Sequence, residues 1–480
     1  MALPELHRFT LPNGLRVVLA PDPSAPVVGV SVHYDVGFRS EPEGRTGFAH
    51  LFEHLMFQGS ESLEKLAHFR HVQSSGGTFN GSTHPDYTDY YQVLPSAALE
   101  RALFLEADRM RAPKITEENL RNQIDVVKEE IRLNVLNRPY GGFPWILLPP
   151  VLFQTFPNAH NGYGDFTDLE NATVDDCAAF FDTYYAPGNA VLTVAGDFAP
   201  ETAKALVEKH FGDVPARPVP VRPSFAEAPP KGEVRAEHTD KHAPMPAVAL
   251  GYRIPDPVSE VEGYLSYLVL AGVLTDGDGS RLQQRLVHRD ALVVDVGAGC
   301  GLFGPLEARD PDTFSITAIH PPDIAADRVI AAVDEELLRL AEEGPTEQEL
   351  AKVTARWVST MHREHDRLTS RTLGLGSAEL LFGRAELLYE LPDKLAGITT
   401  DVVAAAAKAL RPDSRAVLLL NPAGAPAADA ETGAAADPAA DATTAAGTAP
   451  AAGADAATGA ADQTTPDTAA GAASDNGGTE

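Results

Sequence analysis

The stretch Phe48-Ala49-His50-Leu51-Phe52-Glu53-His54-Leu55-Met56-Phe57 constrains this chain more than any other. Its crowded apolar residues predict a buried helix from Thr46 to Gln58. Two histidines four apart then share one face, a turn from each other. Buried imidazoles need partners, and a divalent metal held by both supplies one. Glu53 lies beside that face, where a carboxylate can take a proton from a metal-bound water. A catalytic zinc keeps three protein ligands and one open position. A fold that buries this helix must therefore bring a third ligand to it.

The order H-x-x-E-H is the reverse of the commoner H-E-x-x-H, and it is a zinc-peptidase pattern. The third ligand is sought among acidic residues on another buried helix. Asp125-Val126-Val127-Lys128-Glu129-Glu130-Ile131 offers two adjacent carboxylates, Glu129 and Glu130, beside the apolar face of Ile124, Val127 and Ile131. The pattern alone does not choose between them. Thr116 caps this helix, with Glu117 and Glu118 in its positive first turn.

A chain of 480 residues is too long for one core. In its first half, strands are expected at Arg16–Ala20 and Val27–Val36, a hairpin at Gly76–Thr83 and Tyr87–Leu94, and a buried strand at Asn189–Gly196. Helices are expected at Leu63–Ser74, Pro95–Arg111, Thr116–Asn137, Thr173–Tyr185 and Pro200–Phe211. Val214 to Lys231 holds six prolines and reads as a semi-rigid linker. Strands Ala247–Tyr252, Leu292–Val296, Phe314–His320 and Ala416–Leu420 follow. So do helices at Glu260–Leu274, Ser280–Val287, Ala325–Glu343, Thr346–Phe382 and Thr400–Leu410. Both halves close with a helix and a buried strand, which suggests an internal duplication. The expected division is a metal-bearing domain over 1–213, a linker over 214–231, a second domain over 232–421 and a tail over 422–480. The tail is Ala, Thr, Gly, Asp and Pro without an aromatic residue, and is expected to be disordered.

His50-Leu51-Phe52-Glu53-His54, then Gly76-Gly77-x-x-Asn80, then Val126-Val127-Lys128-Glu129-Glu130, resembles the pitrilysin/insulinase family of zinc peptidases. The half-length, two-domain branch that includes the mitochondrial processing peptidase β subunit is the nearest in pattern. Leu11-x-Asn13-Gly14-Leu15, Tyr140-Gly141 and Asn189 to Phe198 extend the likeness. The resemblance implies an α+β fold of two similar domains. Each is a mixed, mostly antiparallel sheet with helices on one face. It implies one Zn2+ per chain on His50, His54 and Glu130, with Glu53 as general base, in a metalloendopeptidase of unfolded peptides. It also implies a substrate-binding edge strand carrying Gly77 and Asn80. Gln123 stands where the family often has a second Glu, two turns before the ligand, and is expected to support the site.

Relatives that bind substrate unaided carry an Arg/Tyr pair in the second half. The matching positions here are Val287 and Val294, and no Tyr lies between Tyr267 and Tyr389. The expected arrangement is thus a heterodimer with a metal-free paralogue that supplies the pair. The competing reading is a non-catalytic scaffold subunit, against which the intact His50, Glu53, His54 and Glu130 speak.

The net charge of −30 disfavours nucleic acid and anionic membrane as partners. Nine acidic residues follow Asn421, where no Lys or Arg occurs, and the rest of the chain is still strongly acidic without them. Cys177 and Cys300 are too far apart to suggest a disulfide framework and read as buried thiols of a cytoplasmic protein. No signal pattern or membrane span is expected. His68 with His71 and His362 with His365 read as solvated helix faces. Gly297-Ala298-Gly299-Cys300-Gly301 reads as a turn between strands.

Overall fold

The computed structural model describes residues 5–228 and 230–424. The expected tail begins with the end of the last strand, and its residues 425–480 lie outside the described ones. Two sheets organise the rest. The first contains β1 (His7–Thr10), β2 (Arg16–Pro21), β3 (Val27–Tyr34), β4 (Thr78–Thr83), β5 (Thr88–Pro95) and β6 (Ala190–Gly196), in the order β1-β2-β6-β3-β5-β4. The second contains β7 (Val234–Asp240), β8 (Ala247–Ile254), β9 (Asp295–Cys300), β10 (Asp312–Ile319) and β11 (Arg415–Pro422), in the order β7-β11-β8-β10-β9. Without β1, the two orders are the same permutation. Each sheet has one parallel pair, β2 with β6 and β7 with β11, and its other pairs are antiparallel. The duplication is therefore written in topology, although it is faint in sequence.

Strand β3 shows how the first sheet is packed. Val28, Val30, Val32 and Tyr34 alternate into the main core with Phe48, Leu51 and Phe52. The opposite face, with Gly29, Ser31 and His33, is covered by the helix Leu368–Phe382 from the second half. A Cβ on Gly29 would lie 2.3 Å from Thr372 Oγ1, and one on Gly376 would lie 2.4 Å from the His33 ring. The expectation of helices on one face is thus incomplete for this sheet. The exchange is mutual: Leu148, Leu152 and Phe153 of the first half pack with Ala249, Ala416 and Leu418 of the second sheet. The Pro-rich segment runs as coil between the halves, while packing crosses from one half to the other.

Three expectations change for physical reasons. The single helix over Thr346–Phe382 is two, Glu347–Asp366 and Leu368–Phe382, separated at Arg367 with ψ 121°. The first packs on the second half's own helix Val261–Thr275 and the second on the first sheet, so the chain must turn between them. His68 is buried rather than solvated, with its ring edge-on to Phe57 and Phe79. Gly297 to Cys300 belong to β9, which begins three residues later than the expected strand at Leu292. Strands β1 and β7 had no apolar alternation to reveal them, and β7 is mostly exposed. No helix among the described residues is long and apolar enough to cross a membrane.

Gly29→Val tests the contact of helix Leu368–Phe382 with the first sheet. Overpacking there is expected to destabilise the chain by about 1–3 kcal/mol, measured as a loss in denaturant midpoint. A midpoint equal to that of the wild type would show that this helix does not press on β3.

Candidate metal centre and catalytic carboxylate

Helix α1 (Phe48–Leu55) is only eight residues long, so its stability comes from packing and caps rather than from its own turns. Phe48 and Phe52 pack against Phe180, and Phe52 also meets Tyr185. Its N-cap, Gly47, has φ 83° and no side chain to cap with. Glu41 caps instead, accepting hydrogen bonds from the N–H groups of Gly47 at 2.9 Å and Ala49 at 2.7 Å. Burial pushes the Glu41 carboxyl up, against the pull of His160 at 3.1 Å. The loop around Gly164 lies so close that a Cβ there would be 2.4 Å from Gly47 N.

Helix α2 (Ala67–Ser74) and helix α3 (Leu99–Arg111) flank this layer, and helix α4 (Glu117–Ile131) brings Glu130 to it. Thr116 Oγ1 accepts from the Asn119 N–H at 3.2 Å, as its capping position requires. Leu120, Gln123, Ile124, Val127 and Ile131 turn inward, and Glu130 borders that face. Glu130 Oε1 lies 3.7 Å from His50 Nε2, and Oε2 lies 3.4 Å from His54 Nε2. Glu129 turns away and pairs with Arg132 at 3.1 Å. The donor atoms of His50, His54 and Glu130 all lie within 4.8 Å of one another. Ligands about 2.1 Å from a tetrahedral zinc stand about 3.4 Å apart, so this set fits a zinc-sized cation.

The buried groups of the centre perturb one another's charge. Burial pulls His50 down to about 4, with a smaller push from His54, against the opposing pull of Glu130. His50 is thus neutral near pH 7, the form that binds metal. Burial also opposes charge on His54, but Glu130, Glu53 and Gln123 outweigh it and raise its pKa. Burial raises Glu130, while His54, His50 and Tyr163 outweigh that and hold it below the usual range. Burial lifts Glu53 to about 7, only partly offset by His54 and by Thr83.

The expected residues fall as follows. His50, His54 and Glu130 converge, Glu53 sits beside them, and the buried Gln123 adjoins His54. Gly77 lies just before β4, where a Cβ would meet Val93 O at 2.7 Å, so packing alone already demands glycine there. β4 is the sheet's outer strand. Its residues that approach Glu53 are Gly81, whose Cβ would lie 3.1 Å from Glu53 Cγ, and Thr83, whose hydroxyl donates to Glu53 Oε2 at 2.7 Å. By strand alternation, Asn80 shares its face with Ser82 rather than with these two. Val287 packs at the edge of the second core and Val294 is half exposed.

Sequence reasoning missed Thr83 and Tyr163. The Tyr163 hydroxyl donates to Glu130 Oε1 at 3.0 Å, and its ring stands edge-on to His50 with centroids 5.0 Å apart. Tyr163 lies in a loop without periodicity, so no pattern marked it. For Thr83 the available signal was its place two residues beyond Gly81 on a strand expected to border the site.

Residues 16–138, which contain all four residues of the centre, match the family model described as Insulinase (Peptidase family M16). Residues 171–356 match the model described as Peptidase M16 inactive domain. The zinc protease PqqE of Helicobacter pylori is 29% identical over 358 residues, 73% of this chain and 78% of that protein. The crystal structure of a protease from Helicobacter pylori superposes with a TM-score of 0.80 at 26% identity, covering 88% of this chain and 100% of that one. The first half of the periplasmic protease PqqL from Escherichia coli shares the fold with a TM-score of 0.69 at 20% identity, over 88% of this chain and 93% of that half. In the intact PqqL chain the match covers 48%.

Removing the hydroxyl that steadies Glu130 is expected to loosen the centre without unfolding it. Tyr163→Phe should bind Zn2+ about tenfold more weakly or worse in competition with a chelator, at an unchanged denaturant midpoint. Unchanged affinity would show that Tyr163 does not orient the ligand.

Proposed function

The chain belongs to the pitrilysin/insulinase family of zinc peptidases, and on that premise we propose that it is a zinc-dependent metalloendopeptidase acting on unfolded peptides. The observation that carries the reading is the convergence of His50, His54 and Glu130 with the buried Glu53 at their side. These residues lie in the part of the chain that matches the insulinase model rather than in the part that matches the inactive domain.

In this reading His50, His54 and Glu130 hold one Zn2+. When bound there, zinc polarises the scissile carbonyl and acidifies a water. Glu53 takes the proton of that water and passes it to the leaving nitrogen. Thr83 fixes the orientation of the Glu53 carboxylate. A peptide adds to the free edge of β4 as a further strand, so its main chain is recognised more than its sequence. Gly77 and Asn80 border that strand, and Gln123 supports His54. Residues 1–213 act as the catalytic domain and 232–421 as the second, non-catalytic one.

The valines at 287 and 294 support a zinc subunit whose Arg/Tyr pair comes from a metal-free paralogue. The PqqL chain, about half of which matches this fold, shows that units of this size occur within one larger protein. The free, buried thiols of Cys177 and Cys300 fit a cytoplasmic setting. A purely scaffolding role is the weaker reading, since it leaves the four residues of the centre without a purpose.

Glu53→Gln is expected to keep the metal and lose hydrolysis of unfolded peptides by about 10²-fold or more. His54→Ala should lose both. Metal content and hydrolysis are measured on the chain alone and with an Arg/Tyr-bearing paralogue added, which should raise the rate. A Glu53→Gln chain as active as the wild type would contradict the proposal.

A further inference from the structure

A cavity of about 50 Å³ lies between the two halves, lined by none of His50, Glu53, His54 and Glu130. Its walls are aromatic: Phe38, Trp145 and Phe153 from the first half, and Phe303 from the second. The Phe38 and Phe303 rings are 5.2 Å apart, and those of Trp145 and Phe303 are 6.0 Å apart. One short loop ties the cavity to the centre. His160 lines it, Gly162 packs on Phe38, and Tyr163 bonds Glu130. The Trp145 ring in turn lies 5.4 Å from that of Tyr163.

The polar side chains on the wall are already engaged. Arg39 is held by Asp86 at 3.0 Å, by Asn158 at 3.3 Å and by the Pro311 carbonyl at 2.9 Å. His160 faces Glu41 at 3.1 Å and the Phe156 carbonyl at 2.9 Å. Glu307 pairs with His84 at 3.1 Å. Asn158 donates to the Phe225 carbonyl at 2.7 Å. A charged guest would be desolvated here without a free partner, which is costly.

Size narrows the choice further. A water needs roughly 10–15 Å³ of such space, so the cavity holds about four small groups. That is the size of a leucine or isoleucine side chain, and an indole is too large. We infer that this cavity receives one aliphatic side chain of the substrate peptide, and that Phe303 gives the second half a direct part in choosing it. The inference rests on the peptidase reading for the identity of its guest.

The test uses the zinc-loaded full chain carrying Glu53→Gln and Trp357→Phe, which leaves Trp145 as its only tryptophan, paired with an Arg/Tyr-bearing paralogue whose own tryptophans are replaced by phenylalanine. Otherwise polar octapeptides with a central Leu, Trp, Asp or Lys are titrated against it. The peptides carry a terminal dye, so that binding by anisotropy and the emission of Trp145 are both followed. The Leu peptide is expected to shift that emission and to bind about tenfold or more tighter than the other three. Phe303→Ala, which opens the wall, should move the preference toward the Trp peptide by about tenfold. Equal affinities, binding that leaves the emission unmoved, or no binding by any of the four overturns the inference. Hydrolysis by wild type without side-chain preference would sink it and leave the peptidase reading standing. Selective binding without hydrolysis would do the reverse.

Discussion

Holding two buried imidazoles and an ionised carboxylate within a few ångströms of each other is the demand on which the first half depends. Each of these groups loses hydration when buried, and His50 responds by staying neutral. A cation at their focus would turn that cost into coordination. The helix that carries two of them is too short to stand alone. It is fixed at its start by the buried carboxylate of Glu41, from the side by Phe180 and Tyr185, and against α4 by Glu130 itself. The ligand helices are thus placed by a tertiary frame rather than by local preference.

That frame is not the property of the first half alone. The back of its sheet is covered by a helix that follows β10 in the second half, and the second sheet receives Leu148 and Leu152 in return. The matching strand orders show two copies of one plan, and the exchanged segments show that neither copy is wrapped only by its own chain segment. Phe303 and Glu307 reach from the second half toward Phe38 and His84, near the outer strand and the metal centre.

Much of this was legible in the residues. The alternation of Val28, Val30 and Val32 marked a central strand, and Thr116 marked the start of α4, because each rests on local geometry. The ligand pair was legible because its spacing is one helical turn. The choice between Glu129 and Glu130 was not, since neighbouring helical residues differ by about 100° in direction and only the seating of α4 decides which faces inward. Strand β7 was silent because its pairing with β11, not its own apolar pattern, makes it a strand. The turn at Arg367 was silent because two different cores claim the residues on either side of it. Tyr163 and the inter-half cavity arise from loops meeting across the fold, which no spacing records.

The reading proposed above places one cation on His50, His54 and Glu130 together. Anomalous diffraction at the zinc edge from crystals of the purified, zinc-loaded chain tests it most directly. The predicted result is a single strong peak about 2.0–2.2 Å from Nε2 of both histidines and from a Glu130 carboxylate oxygen. A peak on another donor set, or one that leaves Glu130 outside bonding distance, would contradict it.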